Sequence, residues 1–135
     1  MHSTFKYIYL CIVKFQKEQV QSLNEKTVGN LENTQAHMRK GVLEFCILSI
    51  ISQGEIYPSD IIARMKDAKL IVVEGTLYPL LTRLKNSGLL SYTWVESTSG
   101  PPRKYYKLTP LGEQFLKELR VTWGELAEAV NKTAK

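Results

Sequence analysis

A run of basic residues between Thr76 and Lys107 is the first feature of the chain that points to chemistry. This segment has one acid, Glu96, against five bases, so it accounts for four of the five net positive charges; the bases are Arg83, Lys85, Arg103, Lys104 and Lys107. The stretches on either side are nearly neutral. Ammonium and guanidinium groups gathered in one segment favour an acidic partner, because they neutralise phosphates. The segment therefore predicts binding to nucleic acid or to an anionic membrane.

The residue types that most often support catalysis or hold metals occur here without partners. Cys11 and Cys46 are far apart and form no Cys-x-x-Cys pair, and His2 and His37 have no ligands at metal spacing. The chain also lacks a phosphate-binding glycine loop and a nucleophile elbow. We expect no enzymatic activity, no metal and no cofactor, and free thiols are typical of the reducing cytoplasm.

Three helices are predicted upstream of the basic segment and within it. From Met38 a wide apolar face indicates a first helix that ends at Gln53-Gly54, and Pro58 at a first helical position begins a second that ends near Ala68. A third helix buries four leucines at helical spacing and stops at Asn86-Ser87-Gly88. Its outer face then contains Thr76, Tyr78, Pro79, Thr82, Arg83 and Asn86.

Two alternating segments follow and predict a β-hairpin. They run over residues 90–95 and 103–108, and the connection from Glu96 to Pro102 is polar and rich in Pro and Gly, which predicts a flexible loop. We expect Tyr106 in the core and Tyr105 at the surface. Thr109-Pro110 then begins a final helix, with Glu113 interpreted as part of a capping box.

The final helix carries two apolar stripes. Leu111, Phe115 and Leu119 recur every four residues, which suits packing on the chain's own core. The second stripe alternates steps of three and four residues, which is typical of a coiled-coil seam, and a second copy of the chain is the simplest partner for it. Its members, the predicted dimer interface, are Leu116, Leu119, Trp123, Leu126 and Val130.

This order of elements predicts a winged helix-turn-helix, a mainly α fold with a small β-hairpin. In that arrangement the third helix enters the major groove of DNA and the hairpin reaches phosphates or the minor groove. We therefore predict DNA contacts from the outer face of the third helix and from Arg103, Lys104 and Lys107. The alternative is a winged-helix protein-interaction module without nucleic acid, whose weak DNA binding would be insensitive to salt.

Three motifs make the chain resemble a known family. EGTLYPLLTRLK at residues 74–85, GLL at 88–90 and GPPRKYYKLTPLG at 100–112 are similar to the signature of the PadR family of bacterial transcriptional regulators, and the likeness extends over about residues 38–131. The resemblance implies a homodimeric repressor of the short class, with one C-terminal helix, that binds a palindromic operator in double-stranded DNA.

The same resemblance implies roles for particular residues. Thr76, Tyr78 and Pro79 match the start of the family's recognition helix, and residues 103–105, including Tyr105, match its wing. Trp123 matches an aromatic residue at the dimer interface, where some members sandwich flat aromatic effectors. From its residue type, Trp123 is first interpreted as a packing anchor of that interface, with effector binding as the second role.

The predicted organisation has three parts. Residues 1–37 form an N-terminal arm, residues 38–108 the DNA-binding domain and residues 109–135 the dimerisation helix. The apolar run Phe5–Phe15 within the arm is too short to span a bilayer. Three interpretations of the arm stay open: an extra packing helix, which we favour narrowly, an upstream stretch foreign to the native protein, or a weak membrane-surface anchor.

Overall fold

The computed structural model describes residues 24–135, together with residues 7, 8 and 10–12. It divides into two units, Met1–Lys40 and Gly41–Lys135. The elements of the described part confirm a mainly helical fold with a two-stranded antiparallel sheet. In chain order they are α1 (Glu25–Ile51), α2 (Pro58–Asp67), α3 (Glu74–Asn86), β1 (Leu90–Ser97), β2 (Gly100–Leu108) and α4 (Pro110–Thr133).

Helix α1 begins thirteen residues before Met38, where the apolar pattern predicted its start. Asn24 caps it, because the Asn24 Oδ1 accepts a 2.9 Å hydrogen bond from the Thr27 backbone N–H. Residues 25–40 bury little apolar surface, so hydrophobic periodicity did not reveal this part of the helix. In the arm, the described residues 7, 8 and 10–12 are helical, and the rest of the Phe5–Phe15 run lies outside the described residues.

The core of the second unit draws on every helix and on both strands. The leucine spacing predicted for α3 is confirmed, since three of its four leucines are fully buried and Leu80 is half-buried. No charged or polar side chain is buried among the described residues. The buried side chains are Ile47, Leu48, Ile51, Ile56, Ile61, Met65, Val72, Leu77, Leu81, Leu84, Leu89, Leu90, Tyr106 and Leu116.

The turns on either side of α3 use the same backbone motif. After α2, Lys69 adopts a left-handed conformation with φ 65°, and the Leu70 N–H donates to the Met65 carbonyl at 2.8 Å. After α3, Gly88 takes φ 81°, and the Leu89 N–H donates to the Leu84 carbonyl at 3.0 Å. Only glycine adopts this conformation without a steric cost, so the first of the two turns is the more strained.

The hairpin of β1 and β2, called the wing from here on, is more regular than the sequence predicted. The expected flexible loop from Glu96 to Pro102 is wrong, because only residues 98 and 99 form the turn. Beyond Val95 the register shifts, so that Pro101 and Pro102 together lie opposite Glu96 in a β-bulge. Prolines are tolerated there because bulges and edge strands leave backbone positions that need no N–H donor.

A close backbone approach anchors the start of α4. The Thr109 Oγ1 accepts a 3.0 Å hydrogen bond from the Gly112 N–H and donates to the Gly88 carbonyl. Glu113 lies one residue beyond the capping-box position, which Gly112 occupies. A Cβ atom at Gly112 would overlap the Leu89 carbonyl oxygen, so this position requires glycine. The contact sets which side of α4 faces the core.

Candidate nucleic-acid interface

The outer face of α3 presents the predicted polar residues together. Because its leucines point inward, all six side chains named for this face are exposed. Thr76 lies on the first turn, and the other five line one open depression together with Ser87. These five are Tyr78, Pro79, Thr82, Arg83 and Asn86. Hydroxyl, amide and guanidinium groups are the donors that reach phosphates and base edges.

Arg83 is partly engaged by an acid that sequence reasoning missed. Its Nη2 lies 2.9 Å from the Oε2 of Glu44 on α1, with the two side chains 57% and 31% exposed. Such a solvent-exposed pair contributes about 1 kcal/mol at most. The remaining N–H donors of the guanidinium are available to a phosphate. A carboxylate within the apolar face of α1 was the only sequence signal for this pair.

Tyr78 and Thr82 offer neutral hydrogen-bonding groups beside Arg83. Partial burial raises the pKa of the Tyr78 hydroxyl above its ordinary value, and Tyr57 and Glu74 raise it further. The phenol is therefore protonated at neutral pH and available as a donor. The Thr82 Oγ1 donates to the Tyr78 carbonyl at 3.0 Å, which leaves its lone pairs as acceptors.

The wing cations lie against aromatic rings. The ammonium of Lys104 is 4.5 Å from the ring centroid of Tyr92 and 5.1 Å from that of Trp94. The guanidinium of Arg103 lies 4.9 Å from the centroid of Tyr57. Lys107 is exposed. Sequence reasoning did not assign roles to these three rings, although Tyr92 and Trp94 alternate along the strand paired with Lys104.

The two neighbouring tyrosines of β2 differ in their surroundings. Tyr106 is buried, as predicted, and burial raises the pKa of its hydroxyl, with contributions from Tyr92 and Tyr78. Tyr105 is half-buried rather than exposed, because its ring packs 5.9 Å from that of Tyr57. The expectation of a fully exposed Tyr105 is therefore corrected.

Helix α4 is rotated relative to the sequence prediction. Leu116, assigned to the dimer seam, is fully buried in the core of its own chain and is not available to a partner. Leu111 and Phe115, assigned to that core, are exposed instead. Leu119 is half-buried. The stripe open to solvent consists of Leu111, Phe115, Trp123, Leu126 and Val130, each between 37% and 55% exposed.

Trp123 also has a partner within its own chain. Its ring centroid is 6.4 Å from that of Phe45 on α1, and the two rings are tilted by 31°. The indole is 45% exposed, so part of its surface is open beside the exposed stripe of α4. An aromatic ring in this setting suits either a helix interface or a flat ligand.

Other kinds of site receive no support from the described residues. Within them, no three His, Cys, Asp or Glu side chains are grouped closely enough to hold a metal ion. No helix in the described ranges is long and apolar enough to cross a membrane. Cys46 is half-buried, and burial raises the pKa of its thiol.

Comparison with known proteins identifies the family. The sequence profile of the transcriptional regulator PadR-like family matches residues 47–118. A PadR-like transcription factor from Bacteroides fragilis, solved by X-ray crystallography, is 63% identical, with a TM-score of 0.64 over 75% of this chain and 98% of that one. A PadR family regulator from Eggerthella lenta is 28% identical, with a TM-score of 0.77 over 83% of this chain and 98% of that one.

A third structure contains nucleic acid. The crystal structure of Bacillus subtilis PadR in complex with operator DNA is 25% identical, with a TM-score of 0.56, and the match covers 59% of this chain and 46% of that one. The matched profile includes α2, α3, both strands and the start of α4, which are the elements that hold the polar and cationic surface described above. The chain therefore belongs to the PadR-like family of transcriptional regulators, which is a family of regulators and not of enzymes.

Proposed function

We propose that this protein binds operator DNA through α3 and the wing. The proposal rests on one observation, that a cation of α3 and a cation of the wing lie against the same aromatic ring. The ammonium groups of Lys85 on α3 and of Lys104 on β2 lie 5.6 Å and 4.5 Å from the ring centroid of Tyr92. These two ammonium groups, one from each element, therefore lie close to each other. A groove-reading helix beside a cationic hairpin suits double-stranded DNA.

The proposed contacts divide into two classes. Thr76, Tyr78, Pro79, Thr82 and Arg83 on α3 would face base edges and adjacent phosphates in the major groove. The wing residues would contact the phosphate backbone, which adds affinity without sequence preference. These are Arg103, Lys104, Tyr105 and Lys107. The Bacillus subtilis relative, solved in complex with operator DNA, supports DNA as the partner.

We propose that the functional unit is a homodimer formed through α4. Its exposed apolar stripe, with Trp123, Leu126 and Val130 and the half-buried Leu119, would otherwise remain in contact with water. Two copies related by a two-fold axis would read a palindromic operator whose half-sites are roughly 34 Å apart. Residues 109–135 would then form the dimerisation helix.

We also propose that the protein is a repressor and that a small effector controls it. The repressor role and the cytoplasmic location rest on the family resemblance. A small aromatic effector would bind beside Trp123, whose indole is partly open, and would change how the two copies of α4 cross. Titrating planar aromatics against Trp123 fluorescence in a Trp94→Phe background tests this role. If no compound quenches the indole or alters DNA affinity, Trp123 is a packing residue only.

The DNA proposal is tested by selecting genomic fragments that bind the purified protein and measuring their affinity at several salt concentrations. We expect a shared palindrome and an affinity that falls steeply with salt. The double change Arg103→Ala and Lys104→Ala should weaken all sequences alike and reduce the salt slope by about two. The matched control is Lys117→Ala with Arg120→Ala, which removes the same charge from exposed positions of α4.

Two outcomes would contradict the proposal. If the wing variant binds with the same salt slope as the parent, the wing does not contact phosphates. If the parent itself binds DNA weakly and without salt dependence, the protein-interaction module becomes the better explanation for the fold.

A further inference from the structure

We propose that three aromatic residues position the wing cations for DNA: Tyr57 holds Arg103, and Tyr92 with Trp94 holds Lys104. This inference rests on the proposed DNA binding and deepens it, because it assigns a role to side chains that need not touch the DNA. Long cationic side chains lose rotamer freedom when they bind a phosphate. A ring that restricts the cation beforehand reduces that loss.

The corner that holds Lys104 is built by strand pairing. Lys104 on β2 lies directly opposite Trp94 on β1, and Tyr92 points to the same face of the sheet because it is two residues away. The two rings meet edge to face, with centroids 6.0 Å apart and planes at 88°. The ammonium lies within about 5 Å of both centroids, which is a favourable distance for a cation–π contact.

Arg103 is held on the opposite face of the same hairpin. Arg103 precedes Lys104 on β2, so its side chain points to the other face of the sheet. Its partner is a ring outside the hairpin, that of Tyr57 just before α2. The backbone beside that ring is fixed, because Ile56 exchanges hydrogen bonds of 3.0 and 2.9 Å with Tyr106. A guanidinium over a ring keeps the N–H donors in its own plane free for a phosphate.

Tyr92 also connects the wing to the recognition helix. Lys85 on α3 approaches the same ring as Lys104, at 5.6 Å from the centroid. The spacing between Lys85 and Lys104 therefore depends on a common support. A two-stranded hairpin has little stability of its own, so such a support limits its motion relative to α3.

The test for Arg103 compares Tyr57→Leu with Tyr57→Phe. Leucine removes the ring and should lower DNA affinity about two- to fivefold, because ordering one long side chain on binding has about that effect. Phenylalanine keeps the ring face and should restore the affinity of the parent. The salt slope should be unchanged in both variants, because Arg103 is still present and charged, whereas Arg103→Ala should reduce it by about one.

A double-mutant cycle separates positioning from general destabilisation. If Tyr57 acts through Arg103, then Tyr57→Leu should have no further effect on affinity in an Arg103→Ala background. An undiminished effect in that background, or equal affinities for Tyr57→Leu and the parent, would overturn the role of Tyr57.

The contact between Lys104 and Trp94 has a readout that requires no DNA. The chain has two tryptophans, so a Trp123→Phe background leaves Trp94 as the only indole. In that background Lys104→Met should shift the Trp94 emission. DNA binding is measured with Trp123 intact, where Trp94→Leu should weaken it about two- to fivefold and Trp94→Phe should not. An emission spectrum that Lys104→Met leaves unchanged would overturn the contact between Lys104 and Trp94.

The two proposals fail in different ways. A parent protein that binds no DNA at any salt concentration overturns both. A parent that binds DNA with a steep salt dependence, combined with ring variants that match it, overturns the positioning role alone.

Discussion

Helices α3 and α4 bury leucines against the same core but present opposite chemistry to the outside. The outer face of α3 is polar and cationic, whereas α4 leaves Phe115, Trp123, Leu126 and Val130 open to solvent. Water solvates the first surface well and the second poorly. The difference is the basis of the two partners proposed above: phosphates and base edges for α3, and another apolar surface for α4.

The two helices also differ in the property to which each would contribute, DNA affinity for α3 and dimer formation for α4. Charges on α3 and the wing act at a distance and are screened by salt, while the apolar face of α4 acts only on contact and is insensitive to salt. Changes to α3 should therefore leave the oligomeric state unaltered, whereas changes to α4 should act on DNA binding only through the dimer. Substitutions on the two helices test that separation.

Leu126→Glu combined with Val130→Glu should convert the protein from a dimer to a monomer. Both side chains are half-exposed, so the change leaves the core intact, and two buried carboxylates in each copy would abolish an apolar interface. Light scattering at micromolar concentration measures the state. Val121→Glu, on the other side of α4, is the control and should stay dimeric. A dimeric double variant would place the interface elsewhere.

Gly112→Ala should destabilise the fold by about 2–3 kcal/mol, because the added methyl group overlaps the Leu89 carbonyl and forces α4 away from the end of α3. Thermal unfolding measures the loss. Gly124→Ala on the same helix meets no neighbouring atom and should instead stabilise it by about 0.5–1 kcal/mol through helix propensity. Equal effects at the two glycines would contradict the close contact.

Thr82→Glu should lower DNA affinity about tenfold, because a carboxylate in the depression on α3 repels phosphates. Thr82→Gln has nearly the same size without the charge and should lose less. Both variants should remain dimeric, since the change lies on α3 and not on α4. A change in oligomeric state, without a change in DNA affinity, would reverse the roles of the two helices.

Lys69→Gly should raise the free energy of unfolding by about 0.5–1 kcal/mol, because glycine adopts the left-handed conformation of this turn without strain. Gly88→Ala, at the other end of α3, should instead lower the free energy of unfolding, because alanine is strained in the left-handed conformation. There the nearest atom to an added Cβ is Leu111 Cδ2 at 3.7 Å, an ordinary contact, so the expected loss comes from the backbone alone. A stability that Lys69→Gly leaves unchanged would show that the turn is unstrained.

Local patterns were enough to predict most elements and the polar face of α3. The leucines of α3 recur at helical spacing, and Pro58 and Pro110 mark helix starts, so nearby residues alone carry this information. The first turns of α1 were not predicted, because residues 25–40 form a helix without an apolar stripe. The prolines of the wing suggested a loop because their place in a bulge depends on the pairing of the two strands.

The order of elements, the family and the cationic segment can be predicted from the sequence, since each depends on residues close together in the chain. That Leu116 faces inward while Phe115 faces outward follows from packing, because the contact between Gly112 and Leu89 sets the rotation of α4. Packing likewise brings Arg83 to Glu44, 39 residues away, and places aromatic rings beside Arg103 and Lys104. Such contacts join distant segments, and their geometry arises only when the helices and the hairpin pack together.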